Sequence, residues 1–175
     1  MAEFAIAAVV AMIVLFIAIQ FAALGRDAVA LGDLNYQLAR WATNGNNNNV
    51  KQNGSYVNSP GCQDIVSLIT DGTASPYQSL QGVADGFIGR IAKLGGVVCG
   101  APPVGGLGVT MTCAPPGSSS LTAAYCGNTR PQGSEVRITL KMDTKYALFL
   151  AGTGYSFFGI PFPKQLSNTQ IAYTQ

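Results

Sequence analysis

Three hydrophobic patterns divide the chain. The first is unbroken: from Phe4 to Leu24 no residue is charged, and Gln20 is the only strongly polar side chain. As an α-helix this stretch is about 30 Å long, the thickness of a bilayer's hydrocarbon core. The second pattern is helical in period. Leu31, Leu34, Leu38 and Trp41 share one face, with Asp33, Asn35, Gln37 and Arg40 elsewhere around the barrel, which predicts an amphipathic helix. The third alternates. In EVRITLKMD, Val136, Ile138, Leu140 and Met142 fall on one side and Glu135, Arg137, Thr139, Lys141 and Asp143 on the other, a strand with one wet face.

The first two patterns join without a strong stop, so they predict one helix to about Thr43, roughly 60 Å long. That exceeds a compact domain of this size, and the first half must project. Gly25 and Gly32 are its weak points for bending or local melting, each costing about 1 kcal/mol relative to Ala. The run TNGNNNNVKQNGS ends the helix. Shorter helices are expected in GCQDIVSLITDG and around Val83, Phe87 and Ile91, and short strands in VVC and VTMTC, separated by Pro-Pro and Gly-Gly turns. IAYT is the natural antiparallel partner of EVRITLKMD. The passage YALFLAGTGYSFFGIPFP is too apolar for an ordinary surface loop, and is expected against the helix, a neighbouring subunit or a membrane surface. The fold class is α+β: a long amino-terminal helix over residues 1–43, packed on a small disulfide-braced antiparallel β domain over 44–175.

Charge and composition narrow the function. Ten Lys and Arg against eight Asp and Glu give a net charge of +2, too little to draw the chain to nucleic acid by charge alone. The chain contains no His, which removes the commonest general base and metal ligand. GTGYSF at Gly152 and GSSSL at Gly117 each lack the last glycine of the phosphate-binding and nucleophile motifs they suggest. Calcium ligation by Asp64, Asp71 or Asp85 is outweighed by ordinary solvated charge. The aromatics along the helix, Phe4, Phe16, Phe21, Tyr36 and Trp41, are explained by packing without a cofactor. No catalytic, metal or cofactor residue is assigned, and an enzyme is not expected. Cys62, Cys99, Cys113 and Cys126 have none of the C-x-x-C spacings of zinc, thioredoxin or haem sites. Two disulfides formed outside the cytoplasm are the simplest account, with three pairings open, among them the chain-order one, Cys62–Cys99 with Cys113–Cys126.

Glu3 is the only charge before Arg26. It is either a headgroup-solvated charge at a membrane interface or a buried carboxylate met by a neighbour's amino terminus, fixing register between subunits. A signal peptide would carry a basic flank, a shorter apolar core and a small-residue cleavage site. Glu3-Phe4-Ala5, the apolar run to Ile19-Gln20-Phe21, then GRDAVALGDLNYQLARWAT, together with SEVRITLKM, FFGIPFP and the closing LSNTQIAYTQ, resemble type IV pilin-like proteins, and most the TadE-like pseudopilins of tight-adherence pili. One departure is that the glutamate stands third rather than fifth. Residues from about Asn44 to Gly133 carry no part of the resemblance.

The resemblance implies a filament subunit held in the inner membrane by its helix. A prepilin peptidase processes it, and an assembly ATPase and platform protein draw it into an extracellular homopolymer. Glu3 and Phe4 would set assembly register. Ile6, Val10, Ile13, Ile17 and Phe21, continued by Leu31, Leu34, Leu38 and Trp41, would be the packing face. The alternatives are a minor pseudopilin that primes or tips another filament, and a membrane-tethered adhesin.

Overall fold

The computed structural model describes residues 2–43, 51–52, 55–56, 61–71, 96–126, 130–146, 156–157 and 160–175. One helix, α1 (Ala2–Thr43), runs without interruption through Gly25 and Gly32. Its second half lies on a four-stranded sheet made of β3 (Val97–Cys99), β4 (Leu107–Ala114), β6 (Glu135–Asp143) and β9 (Gln165–Tyr173), in the order β3-β4-β6-β9. The short strands β1 (Lys51–Gln52), β2 (Ser55–Tyr56) and β5 (Arg130–Pro131) form a separate antiparallel ribbon, and β7 (Ser156–Phe157) pairs with β8 (Ile160–Pro161).

The alternating pattern dictates the centre of the sheet. Val136, Ile138, Leu140 and Met142 of β6 are fully buried on the face that meets α1, in one core with Leu107, Val109, Met111 and Cys113 of β4. Leu31, Leu34 and Leu38 answer them from the helix, each 1% exposed. β9 pairs antiparallel with β6 in the register Val136↔Ala172 and Leu140↔Asn168, as IAYT predicts. Across the outer face Thr139 and Thr169 share a 2.9 Å hydroxyl hydrogen bond, and Arg137 pairs with Glu135.

The sheet is mixed rather than antiparallel, because β3 runs parallel to β4 with Val97 opposite Leu107. Parallel neighbours ordinarily need a long crossover. Here β3 has only three residues, about 10 Å, so the short segment after Cys99 can return to the start of β4. Gly100 (φ +106°) and Gly105 (φ +69°) make its reversals. Gly108 gives it room to cross, since a Cβ there would collide with the Gly100 carbonyl and with Pro102.

Helix α2 (Cys62–Asp71) covers β3 and β4 with Ile65 and Ile69. Asp64 accepts the Gly61 backbone N–H at 2.6 Å, the reciprocal half of a capping box. The disulfide Cys62–Cys99 ties the start of α2 to the end of β3, and Cys113–Cys126 ties β4 to the short helix α3 (Ala123–Cys126). The helix expected around Val83, Phe87 and Ile91 lies outside the described residues.

Candidate functional site

The feature that demands a functional explanation is the first half of α1. It is apolar on every side: Ile6, Val9, Val10, Met12, Val14 and Leu15 are each more than half exposed, with Ile6 at 67%. An 18-residue window of this helix has a mean hydropathy of 2.7 and is 6% buried within the molecule, so the helix is long and apolar enough to cross a membrane. A helix hydrophobic all round belongs in lipid or in a bundle, not in water. At about 25 cal/mol per Å², each large side chain left wet forgoes about 1.5–3 kcal/mol.

The residues expected to pack along the helix divide by position. Ile6 and Val10 are exposed, Ile13 and Ile17 half-buried, and Leu31, Leu34 and Leu38 in the core, with Trp41 half-buried at its rim. Phe21 marks the boundary. It is 51% exposed, yet its ring centre lies 5.2 Å from that of Phe162, which is buried. The apolar passage before β9 therefore packs on the helix at Phe162. Residues 147–155 and 158–159 of that passage lie outside the described residues, as do the side chains of Glu3 and Phe4. Gly25 faces open space, and a Cβ on Gly32 would stand 3.4 Å from the Asn168 amide nitrogen, an ordinary contact.

Below the boundary the helix is fixed by polar groups as well as by leucines. Gln20 and Asp27 are buried, and Arg26, largely exposed, reaches Asp27 at 3.2 Å. Asn35 is wholly buried; its amide donates to the Ile138 carbonyl at 3.1 Å and to the Asn168 carbonyl and side-chain oxygen at 3.0 and 2.8 Å. It thus fastens the helix across the β6–β9 ladder. Two side chains bond to carbonyls near the carboxyl end, and that of Arg130 caps it. Thr43 Oγ1 donates to the Ala39 carbonyl at 2.9 Å, and the buried Arg130 donates to the Ala42 carbonyl at 3.3 Å. A cation at that end also answers the helix dipole. Burial lowers the Arg130 pKa to about 10, with Tyr125 acting in the opposite sense.

Sequence reading missed Gln20, Asp27, Asn35 and Arg130. Asn35 had one available signal: it stands beside Leu34 on the face that the leucines bury. Arg130 had none, since its partner lies far away in the chain.

Among the described residues no group of three potential metal ligands gathers. The apolar helix suggests membrane insertion or a signal sequence, and the two disulfides are compatible with an extracellular location. No family model, curated protein or solved structure matches the chain.

Proposed function

We infer that the protein is a structural subunit of an extracellular type IV pilin-like filament, polymerising through the first half of α1. One observation carries this reading: a fully apolar half-helix, largely exposed, continuous without a break with a half that is docked through leucines and Asn35. A tether needs only to span lipid and can be joined to its domain by a loose linker. A polymerising helix must hold its domain at a fixed angle to the core, and an unbroken helix does so. Passing from lipid into a bundle of like helices leaves the apolar surface dry throughout, so transfer carries little hydrophobic penalty.

In this reading Glu3 pairs with the amino terminus of an adjacent subunit. An uncompensated carboxylate in a dry core costs several kcal/mol, so only the paired register is tolerated. The inner membrane holds the subunit before assembly, and an assembly platform and prepilin peptidase act on it there. The test is Glu3→Ala in producing cells. The variant is expected to remain inserted in the inner membrane and to form no filaments; normal filaments would overturn the register mechanism. A minor pseudopilin, or a tethered adhesin, is the second reading. It would be favoured by membrane-held protein that never polymerises alone.

A further inference from the structure

One end of the sheet domain faces the way α1 projects. β9 runs beside the helix in the same direction: Phe162, just before the strand, meets Phe21, Asn168 meets Asn35, and residues 170–173 line one groove with Tyr36 and Arg40. The start of β9 therefore stands level with the last turn of the apolar half. Asp143, at the end of β6, is opposite Gln165. Thr144 N donates to the Lys164 carbonyl at 3.1 Å, and Asp143 N to the Gly106 carbonyl at 3.0 Å. Lys145, Lys164 and the loop that enters β4 are thus brought to the same end. In that loop Gly106 N donates to the Pro103 carbonyl at 2.9 Å, closing a turn whose tip, Val104, is 66% exposed.

The helix sets the level of this end. With the uncharged run to Leu24 in hydrocarbon, Phe21 and Phe162 lie just inside the boundary, and Arg26, about 3 Å beyond Leu24, falls among the headgroups. Lys164 follows Phe162 closely, so the chain holds it within about 7 Å of the same boundary. The side chains of Arg26, Lys145 and Lys164 are exposed. The two carboxylates described at this end are turned inward. Asp27 is buried beside Arg26, and the buried Asp143 accepts the Lys145 backbone N–H at 2.8 Å. With Arg26 answered by Asp27, the end offers outward an apolar tip and two lysines. That combination suits an interface where acyl chains lie beneath phosphates.

We propose that, before assembly, this end of the sheet domain rests on a bilayer surface of anionic phospholipid, with Val104 at the acyl boundary and Lys145 and Lys164 on lipid phosphates. Continuity selects a membrane as the partner: the helix that carries the domain enters the bilayer at Phe21, so this is the surface that lipid meets first. Charge selects the lipid, since each lysine near an anionic leaflet favours contact about 5-fold. The inference rests on the reading that the inner membrane holds α1, and does not depend on polymerisation.

The test uses the full chain in liposomes at a high lipid-to-protein ratio, with lipids brominated on their acyl chains as contact quenchers. Val104→Trp is the reporter. Trp41, the only native tryptophan, stands about 25 Å beyond Leu24 along the helix and is out of reach. Phe16→Trp, in the projecting half, reports insertion of α1 separately. Circular dichroism checks that each variant keeps its fold. The Phe16→Trp indole should be quenched in every lipid, and the Val104→Trp indole in liposomes rich in phosphatidylglycerol. The ratio of resting to free domains should fall when phosphatidylcholine replaces that lipid. It should also fall about 5-fold for each of Lys145→Gln and Lys164→Gln. Quenching of Phe16→Trp without Val104→Trp would overturn the proposal and leave the membrane reading standing. Contact equal in both lipids, indifferent to both lysine substitutions, or present only when copies are crowded would overturn it too. An unquenched Phe16→Trp would overturn both.

Discussion

The two halves of α1 are one helix with opposite surroundings. From Ile6 to Ile19 no side chain is fully buried, whereas Leu24, Leu31, Leu34 and Leu38 are at most 5% exposed. Composition alone does not decide which half docks, since the projecting half is the more hydrophobic. Pattern decides it. The docked half has a polar face for water and an apolar stripe for the sheet, while the projecting half has nothing suited to water and therefore needs surroundings that are dry all round.

The sharpest way to break this contrast is to charge the projecting half. Val10→Arg should abolish filament assembly and weaken insertion by about 2.5–3.5 kcal/mol, the cost of a charge at mid-membrane. The urea stability of the sheet domain should not change. Membrane fractionation and tryptophan fluorescence, which reports on the half-buried Trp41, read the two outcomes separately. The reciprocal change is Leu34→Ala, which should lower unfolding stability by about 2–5 kcal/mol and leave insertion untouched.

Asn35→Ala comes next, at about 1–3 kcal/mol. It removes the amide that joins the helix to the Ile138 and Asn168 carbonyls, and the loss should appear as a lower urea midpoint.

Arg130 gives a pH test. Burial lowers its folded pKa from the ordinary arginine value to about 10, so above pH 10 the unfolded chain binds the proton more tightly than the folded one. This group alone therefore makes stability rise with pH above 10. The stability difference between the unaltered chain and Arg130→Met should shift in favour of the unaltered chain from pH 9 to pH 11, by about 1 kcal/mol. A flat difference would refute the desolvated cap.

The smallest effect falls at the joint between the halves. Gly25 faces open space, so Gly25→Ala should stabilise the helix by up to about 1 kcal/mol. If the joint must bend during extraction from the membrane, filament yield should fall while the melting temperature rises. Unchanged yield would show that α1 acts as a rigid rod.

What could be read from the sequence follows from which interactions are local. The leucine stripe, the β6 alternation and its β9 partner, and α2 were all legible, because burial imposes a period on neighbouring residues. The parallel placement of β3 was not. It depends on a three-residue strand and on Gly108 yielding space to a crossing loop, neither of which leaves a periodic mark. The helix anchors were equally hidden. Arg130 meets the end of α1 from 88 residues away, and Asn35 reads as an ordinary polar position until the carbonyls of two strands are placed beneath it. For the projecting half, the residue types were plain from the start, but what covers them lies outside the single chain.

The most direct measurement is cryo-electron microscopy of filaments sheared from cells producing this protein. The account predicts a core of like helices in which residues 6 to 19 touch only other copies of α1, with Glu3 beside a neighbour's amino terminus and the sheet domains outside. Filaments that lack this chain, with the protein found only in the inner membrane, would contradict it.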